Sequence, residues 1–305
     1  MDAIPFVDAH MHLWDLAAIP HPWLSPPFGA DGPNGDVSPI AHHYLLTDYR
    51  ADAAAWRLAG AVHVEAGAAA QAAVDETRWL EALAEHEGLP SAIVACAALD
   101  DPNLDAVLEA HAAASGRLRG VRHIVNWHPD PRRTYTPRDV TRDAAWQAGF
   151  GRLARHGLSF DLQCYPGQLA GLAPLIARHP DTPVIVNHAG MPVDQDEAGL
   201  AQWRAGMAAL AELPHVAVKL SGFGFIRRDW TTDFIRPLIL TLIDLFGTQR
   251  CLAASDFPTD KLFASFDAHL GAYHQILAGF SRDERLDLFG RNAARLYRIA
   301  GLDAV

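Results

Sequence analysis

A repeat of element types without a repeat of residues constrains this chain more than any single motif. Short apolar, β-branched runs occur at residues 4–9, 59–65, 91–99, 120–126, 158–164, 183–187, 215–221 and 250–255. None has the alternation of a half-wet sheet, so each reads as a strand buried on both faces, as in a parallel sheet. Stretches of helical period lie between them, at 68–87, 104–114, 143–156, 168–178, 200–213, 234–246, 265–278 and 282–299. Breakers such as Gly88, Gly116, Gly157, Pro180, Pro214 and Gly247 punctuate the joins. Eight buried strands alternating with helices specify an α/β fold, a (β/α)8 TIM barrel. A doubly wound open sheet is the alternative, but no Gly-rich phosphate fingerprint follows any strand.

Length fits one barrel with an insertion. A chain of 305 residues exceeds the roughly 250 typical of a barrel, and the excess gathers at 14–48, between the first strand and its helix. This segment contains HPWLSPPFGADGPNGDVSP. Loops that long are functional lids or disordered; Trp14, Trp23, Phe28 and Tyr44 favour a lid, with His42 and His43 as further lid residues. The expectation is a single domain over 1–305, with 14–48 as a long active-site loop.

Charge narrows the partners. Lys and Arg number 25 against 36 Asp and Glu, a net charge of −11, so a nucleic-acid partner is not expected. No apolar run approaches the ~20 residues that span a bilayer. Met1 to Val7 has no basic segment leading into a long apolar one. The three cysteines, Cys96, Cys164 and Cys251, form no CxxC pair. A cytoplasmic protein without a membrane partner is expected. A homo-oligomer is compatible with this composition and is not specified by it.

A barrel places its chemistry where strands finish. Strand one ends Asp8-Ala9-His10-Met11-His12; histidines at i and i+2 of an extended segment share a face, so His10 and His12 converge on the barrel axis. Strand six ends at His188 and strand eight at Asp256, a carboxylate costly to bury unpaired. Strand four carries Arg122 and His123 on opposite faces, and Arg122 is assigned inward as a fork for a carboxylate or polarised carbonyl. An internal ion pair is the other use for such an arginine. Lys219 and Ser221 on strand seven, and His63 and Glu65 on strand two, read equally as site or structure. Most of the sixteen histidines need no role beyond surface or packing.

Together VDAHMHLWD, HPWL, GVRHIV, VIVNHAG, VKLSG, SDFP and NAARLY resemble the amidohydrolase superfamily, most closely its lactonase branch, from Val7 to about Tyr297. The resemblance implies a hydrolase opening a small lactone, with Asp256 as general base and His10, His12, His188 and Arg122 polarising the carbonyl. His10, His12, His188 and Asp256 would hold a single divalent ion, zinc by donor type. Many superfamily members hold two metals through an acid or lysine on strand four and a histidine on strand five. Here Arg122 and Gln163 stand there, and the lactonase branch also contains enzymes that work without metal. Trp14, Trp23, Tyr44, Trp127 and Lys219 are the candidate substrate-binding residues. A sugar aldonolactone is favoured over a pyrone dicarboxylate or muconolactone, for which Arg132 and Arg133 would be the added cations. Competing expectations are a metal-dependent decarboxylase of aromatic acids and a non-catalytic small-molecule-binding barrel.

Overall fold

A computed structural model describes residues 4–29 and 31–301. Met1–Ala3, where the leader reading begins, and the last four residues of the expected 1–305 domain lie outside the described residues. The strands are β1 (Phe6–Met11), β2 (Leu58–Val64), β3 (Ala92–Cys96), β4 (Leu118–Ile124), β5 (Ser159–Gln163), β6 (Val184–Val186), β7 (Val216–Leu220) and β8 (Cys251–Ala253). They form one eight-stranded sheet in sequence order, each pairing in parallel with the next. A bridge from Met11, at the end of β1, to Phe257, just past β8, joins the first strand to the last. The His12 amide donates to Phe257 O (2.8 Å) and the Asp256 amide to His10 O (2.8 Å). This is the (β/α)8 barrel.

Buried apolar residues fall into two groups, as a closed sheet requires. Val7, Ala9, Val62, Val64, Ala92, Val94, Ile185, Ala217, Leu252 and Ala254 pack inside, joined by Ala293 and Ala294 of the last helix and by Tyr297 and Ile299 just after it. Larger residues such as Phe160, Leu162, Val186, Val218 and Leu220 face outward, toward Leu80, Leu108, Trp146, Leu169, Trp203, Leu210, Ile239 and Leu242 of the helices. Small residues inside and large ones outside suit the narrow lumen.

The helices are α1 (Leu46–Asp52), α2 (Ala73–Glu87), α3 (Leu104–Ala114), α4 (Ala144–Phe150), α5 (Pro166–Ala177), α6 (Glu197–Ala211), α7 (Phe223–Ile226), α8 (Thr232–Phe246), α9 (Phe266–Ile276), α10 (Arg282–Leu286) and α11 (Asn292–Leu296). Two expected helices are interrupted. The stretch after β4 becomes α4 followed by a 3₁₀ turn ending at Gly157, whose φ is +64°. The last stretch is split by a π-turn at Asp287–Arg291. The short α7 has no counterpart in the sequence pattern. None of the described helices is long and apolar enough to cross a membrane.

The insertion after β1 is folded onto the barrel, and α1 begins at Leu46, two residues before its expected end. Two 3₁₀ turns, Pro22–Leu24 and Ser38–Ile40, break its path. Trp14 and Tyr44 pair across its base, and the Trp14 indole N–H donates to His42 O at 2.7 Å.

Candidate active site

At the strand ends the chain makes tight turns. His188 and Asp256 both have positive φ, 52° and 57°, a region sparsely used by non-glycine residues. These turns follow β6 and β8 directly and bring both side chains toward the β1 histidines. His10 and His12 lie with ring centroids 4.9 Å apart, and His10 and His188 4.6 Å apart. Asp256 Oδ1 is 3.1 Å from His12 Nε2 and 3.4 Å from His10 Nε2, and its Oδ2 is 3.8 Å from His188 Nδ1. All four residues are buried.

Burial sets their proton affinities. It pushes His12 down to about 3 and His188 down to about 4, and lowers His10, helped by the nearby Lys219 charge. Burial raises Asp256, opposed by His188, Arg122 and Lys219. The His12 tautomer follows from its partners. Its Nδ1 lies 2.7 Å from Val64 O, which can only accept, so Nδ1 carries the proton. The Nε2 lone pair of neutral His12 then faces an Asp256 oxygen, and that contact calls for one shared proton or one cation between them.

The geometry of the donor set fits a metal. One nitrogen each from His10 and His188 and one Asp256 oxygen lie within 4.8 Å of one another, all buried. Two imidazoles and a carboxylate suit a single divalent ion of zinc type. His12 falls outside this mutual set but faces Asp256. His188 Nδ1 also lies 3.1 Å from Ser221 Oγ, and the other ring nitrogen of His10, Nδ1, lies 3.4 Å from Lys219 Nζ. The lysine stands where a carboxylate or carbonyl usually orients a ligating histidine.

Arg122 enters the barrel, and His123 faces outward against Trp146, whose indole N–H donates to its Nδ1 at 3.2 Å. The Arg122 guanidinium is held from three sides: Nε donates to Glu65 Oε1 (2.7 Å), Nη2 to Glu65 O (2.6 Å) and Nη1 to Gln163 Oε1 (2.8 Å). Nη1 also lies 3.4 Å from His10 Nε2. Arg122 is thus both an ion-pair member and a wall of the site.

Above these groups opens a cavity of about 220 Å³. His12, Arg122, Gln163, His188 and Asp256 form its polar floor; Trp23, Ile124, Ala66, Gly67, Met191 and Phe225 form its walls, with Asn34, Tyr135 and Thr259. Trp23 is fixed by its indole N–H on Ala66 O (2.8 Å). Gly67 permits this, because a Cβ there would sit 2.8 Å from that nitrogen.

Other candidate binding residues lie elsewhere. Trp14 and Tyr44 are buried, and Trp14 packs behind Trp23 with centroids 5.6 Å apart. The Tyr44 hydroxyl is spent on Asp52 (2.7 Å). Trp127 is half-buried and does not line the cavity. Lys219 lies beneath the cavity with its Nζ on Asp161. Arg132 and Arg133 are paired with Asp130 and Asp194, also off the cavity. Sequence reasoning did not single out Asn34, Tyr135 or Met191, on loops between elements, Thr259, which opens a 3₁₀ turn, or Phe225, in the short α7. It reached Gln163 only as a missing ligand. No periodic or strand-end signal marks such positions.

A barrel with a buried His/His/Asp set at its C-terminal mouth defines a class of hydrolase-type enzymes. The amidohydrolase family model matches residues 7–299, and the chain belongs to that family. It is 40% identical over 304 residues to the protein y4mH of Sinorhizobium fredii, covering 98% of this chain and all of that one. It is 31% identical to an L-fucono-1,5-lactonase of Burkholderia multivorans, with 96% of each chain covered. It is also similar to a crystal structure of an amidohydrolase from Burkholderia multivorans with bound Zn. There the TM-score is 0.79 at 29% identity, covering 96% of this chain and 99% of that one.

Proposed function

We propose that this chain is a hydrolase of cyclic esters whose substrate is a neutral, polyhydroxylated sugar lactone. The lining of the cavity carries the reading. A carboxylate and histidines form its floor, while Arg122 is the one cation among the described lining residues and is already matched by Glu65. A pyrone bearing two carboxylates would require further cations. The Trp23 and Phe225 rings suit the C–H faces of a sugar ring, and Asn34, Tyr135, Thr259 and Gln163 offer neutral hydrogen-bonding groups for hydroxyls. The L-fucono-1,5-lactonase relative supports the same substrate class.

The reaction is addition of water to the lactone carbonyl. Ionised Asp256 takes a proton from the attacking water as its oxygen bonds to the carbonyl carbon. The oxyanion is stabilised by N–H groups of Arg122 and by the N–H of neutral His188. Collapse breaks the bond from carbon to ring oxygen, and Asp256 returns the proton to that oxygen, leaving a hydroxy acid. A divalent ion held by His10, His188 and Asp256 would acidify bound water and polarise the carbonyl. Esters lack the resonance protection of amides, so the protein's own donors suffice for a slower version of the same step.

Asp8 weighs against an aromatic-acid decarboxylase, whose opening strand supplies a ligating acid. Its carboxylate accepts from the Ser255 amide (2.9 Å), Ser255 Oγ (2.5 Å) and Tyr49 Oη (2.9 Å), and is committed to the wall between β1 and β8. A panel of aldonolactones, a pyrone dicarboxylate and 2,6-dihydroxybenzoate, read by pH indicator and CO2 release, tests the assignment. Hydrolysis of an aldonolactone is expected; CO2 release from the aromatic acid without lactone opening would overturn it.

A further inference from the structure

The cavity roof is assembled from two loops that meet at one hydrogen bond. Asn34 belongs to the long loop after β1 and Tyr135 to the loop after β4; both line the cavity. The Tyr135 hydroxyl donates to Asn34 Oδ1, and the Tyr135 backbone is fixed by its amide on Asn126 O (2.9 Å).

The Asn34 backbone is held as firmly. Arg228, from the segment after β7, donates from Nη2 to Asn34 O at 2.8 Å. Its guanidinium carbon lies 5.4 Å from the Phe263 ring centroid. The turn is closed by the Gly35 amide on Gly32 O (2.9 Å). Gly35 has φ +66°, and a Cβ there would fall 1.9 Å from Arg228 Nη2, so glycine is required for the arginine to reach the backbone.

Arg228 does not line the cavity, so its charge anchors the loop without meeting the substrate. What the roof presents inward is neutral. The Asn34 Nδ2 group has no partner among the described residues, although both loops around it are tied down. An amide so placed, beside a phenol that is itself hydrogen-bonded, suits a hydroxyl oxygen and offers nothing to balance a carboxylate.

We propose that the Asn34–Tyr135 bridge determines specificity: Asn34 Nδ2 donates to a substrate hydroxyl, and Tyr135 holds the amide in the orientation that allows it. This rests on the lactonase reading and adds which residues select hydroxylated lactones over bare ones. A site built to hydrogen-bond a hydroxyl discriminates against an analogue lacking it, because its polar groups are then left unpaired.

The test compares a hexono-1,5-lactone with δ-valerolactone, which has the same ring and scissile ester and no hydroxyls. Asn34→Ala should raise KM for the hydroxylated lactone about tenfold and Tyr135→Phe about threefold, with kcat within twofold and δ-valerolactone unaffected. Asn34→Asp keeps an acceptor for Tyr135 but removes the donor, so it should behave like Asn34→Ala. Normal KM in Asn34→Asp, or equal losses on both lactones, would reduce the bridge to a structural latch and overturn the proposal. Thermal midpoints within a few degrees of wild type establish that the variants fold. If wild type opens neither lactone, the lactonase reading falls separately. The bridge is then judged by calorimetric binding of the unopened hexono-1,5-lactone, which the variants should weaken; unchanged or absent binding overturns it.

Discussion

Two polar clusters lie along the barrel axis, and they use similar groups to opposite ends. The upper one joins His10, His12, His188 and Asp256 below an open cavity. The lower one joins Asp161, Lys219, Asn187 and Tyr297. Lys219 donates to Asp161 Oδ1, Asn187 Nδ2 donates to the same oxygen (3.0 Å), and Tyr297 Oη contacts both oxygens (3.0 and 3.1 Å). Asp161 and Lys219 are fully buried, and their charges answer each other. In the upper cluster a lone pair and a carboxylate oxygen face each other across 3.1 Å, with Arg122 alongside. A network whose buried charges are matched fixes a structure; an unbalanced one beside a cavity is equipped for chemistry.

The largest expected effect breaks the lower cluster. Lys219→Met leaves the Asp161 charge without its cation, and loss of one partner of a buried pair costs about 3–5 kcal/mol. Urea unfolding should show this; a loss below about 1 kcal/mol would mean that Lys219 serves the site rather than the fold.

The pH profile sharpens the comparison. Asp256 must be ionised to act, and burial raises its proton affinity, so kcat/KM should fall on acidification through a value above the usual carboxylate range. Asp260, a second buried carboxylate raised by burial and by the Asp256 charge, titrates together with it, so the limb belongs to that pair rather than to either residue. His12 and His188 are held near 3 and 4, so no second inflection is expected at the ordinary histidine value. An inflection near pH 6.5 would contradict the neutral-histidine reading.

Metal content separates the clusters by stoichiometry. With Arg122 and Gln163 on β4 and β5, elemental analysis of zinc-incubated protein should find no more than one ion per chain, and none held by His10→Ala. Two ions would contradict the donor set. The smallest effect is Tyr297→Phe, which removes one hydroxyl from Asp161 and should cost about 1–2 kcal/mol of stability with kcat unchanged.

The strands were legible because a parallel barrel buries both faces of each one, which leaves continuous apolar runs. The placement of His10, His12, His188 and Asp256 at strand ends followed from the same logic. What alternation could not foresee was the register slip in β1. Asp8 and His10 are two apart and should share a face, yet the pairing with β2 shifts between Asp8 and Met11. Asp8 turns to Ser255 while His10 turns to Asp256 and Lys219, beneath the cavity. Nor could sequence rank Lys219 against Ser221: one lies buried under His10, the other touches His188. Trp14 and Tyr44 carried the right residue types for a lid, but Trp23 stands in front of Trp14, and loop packing has no period to read.

The most direct measurement is steady-state turnover by Asp256→Asn on the lactone that wild type opens best, alongside its thermal midpoint. Loss of a general base should lower kcat/KM by at least ~10² while the midpoint stays within a few degrees. Near-normal turnover in a folded Asp256→Asn protein would contradict the account, and would make the upper cluster as structural as the lower one.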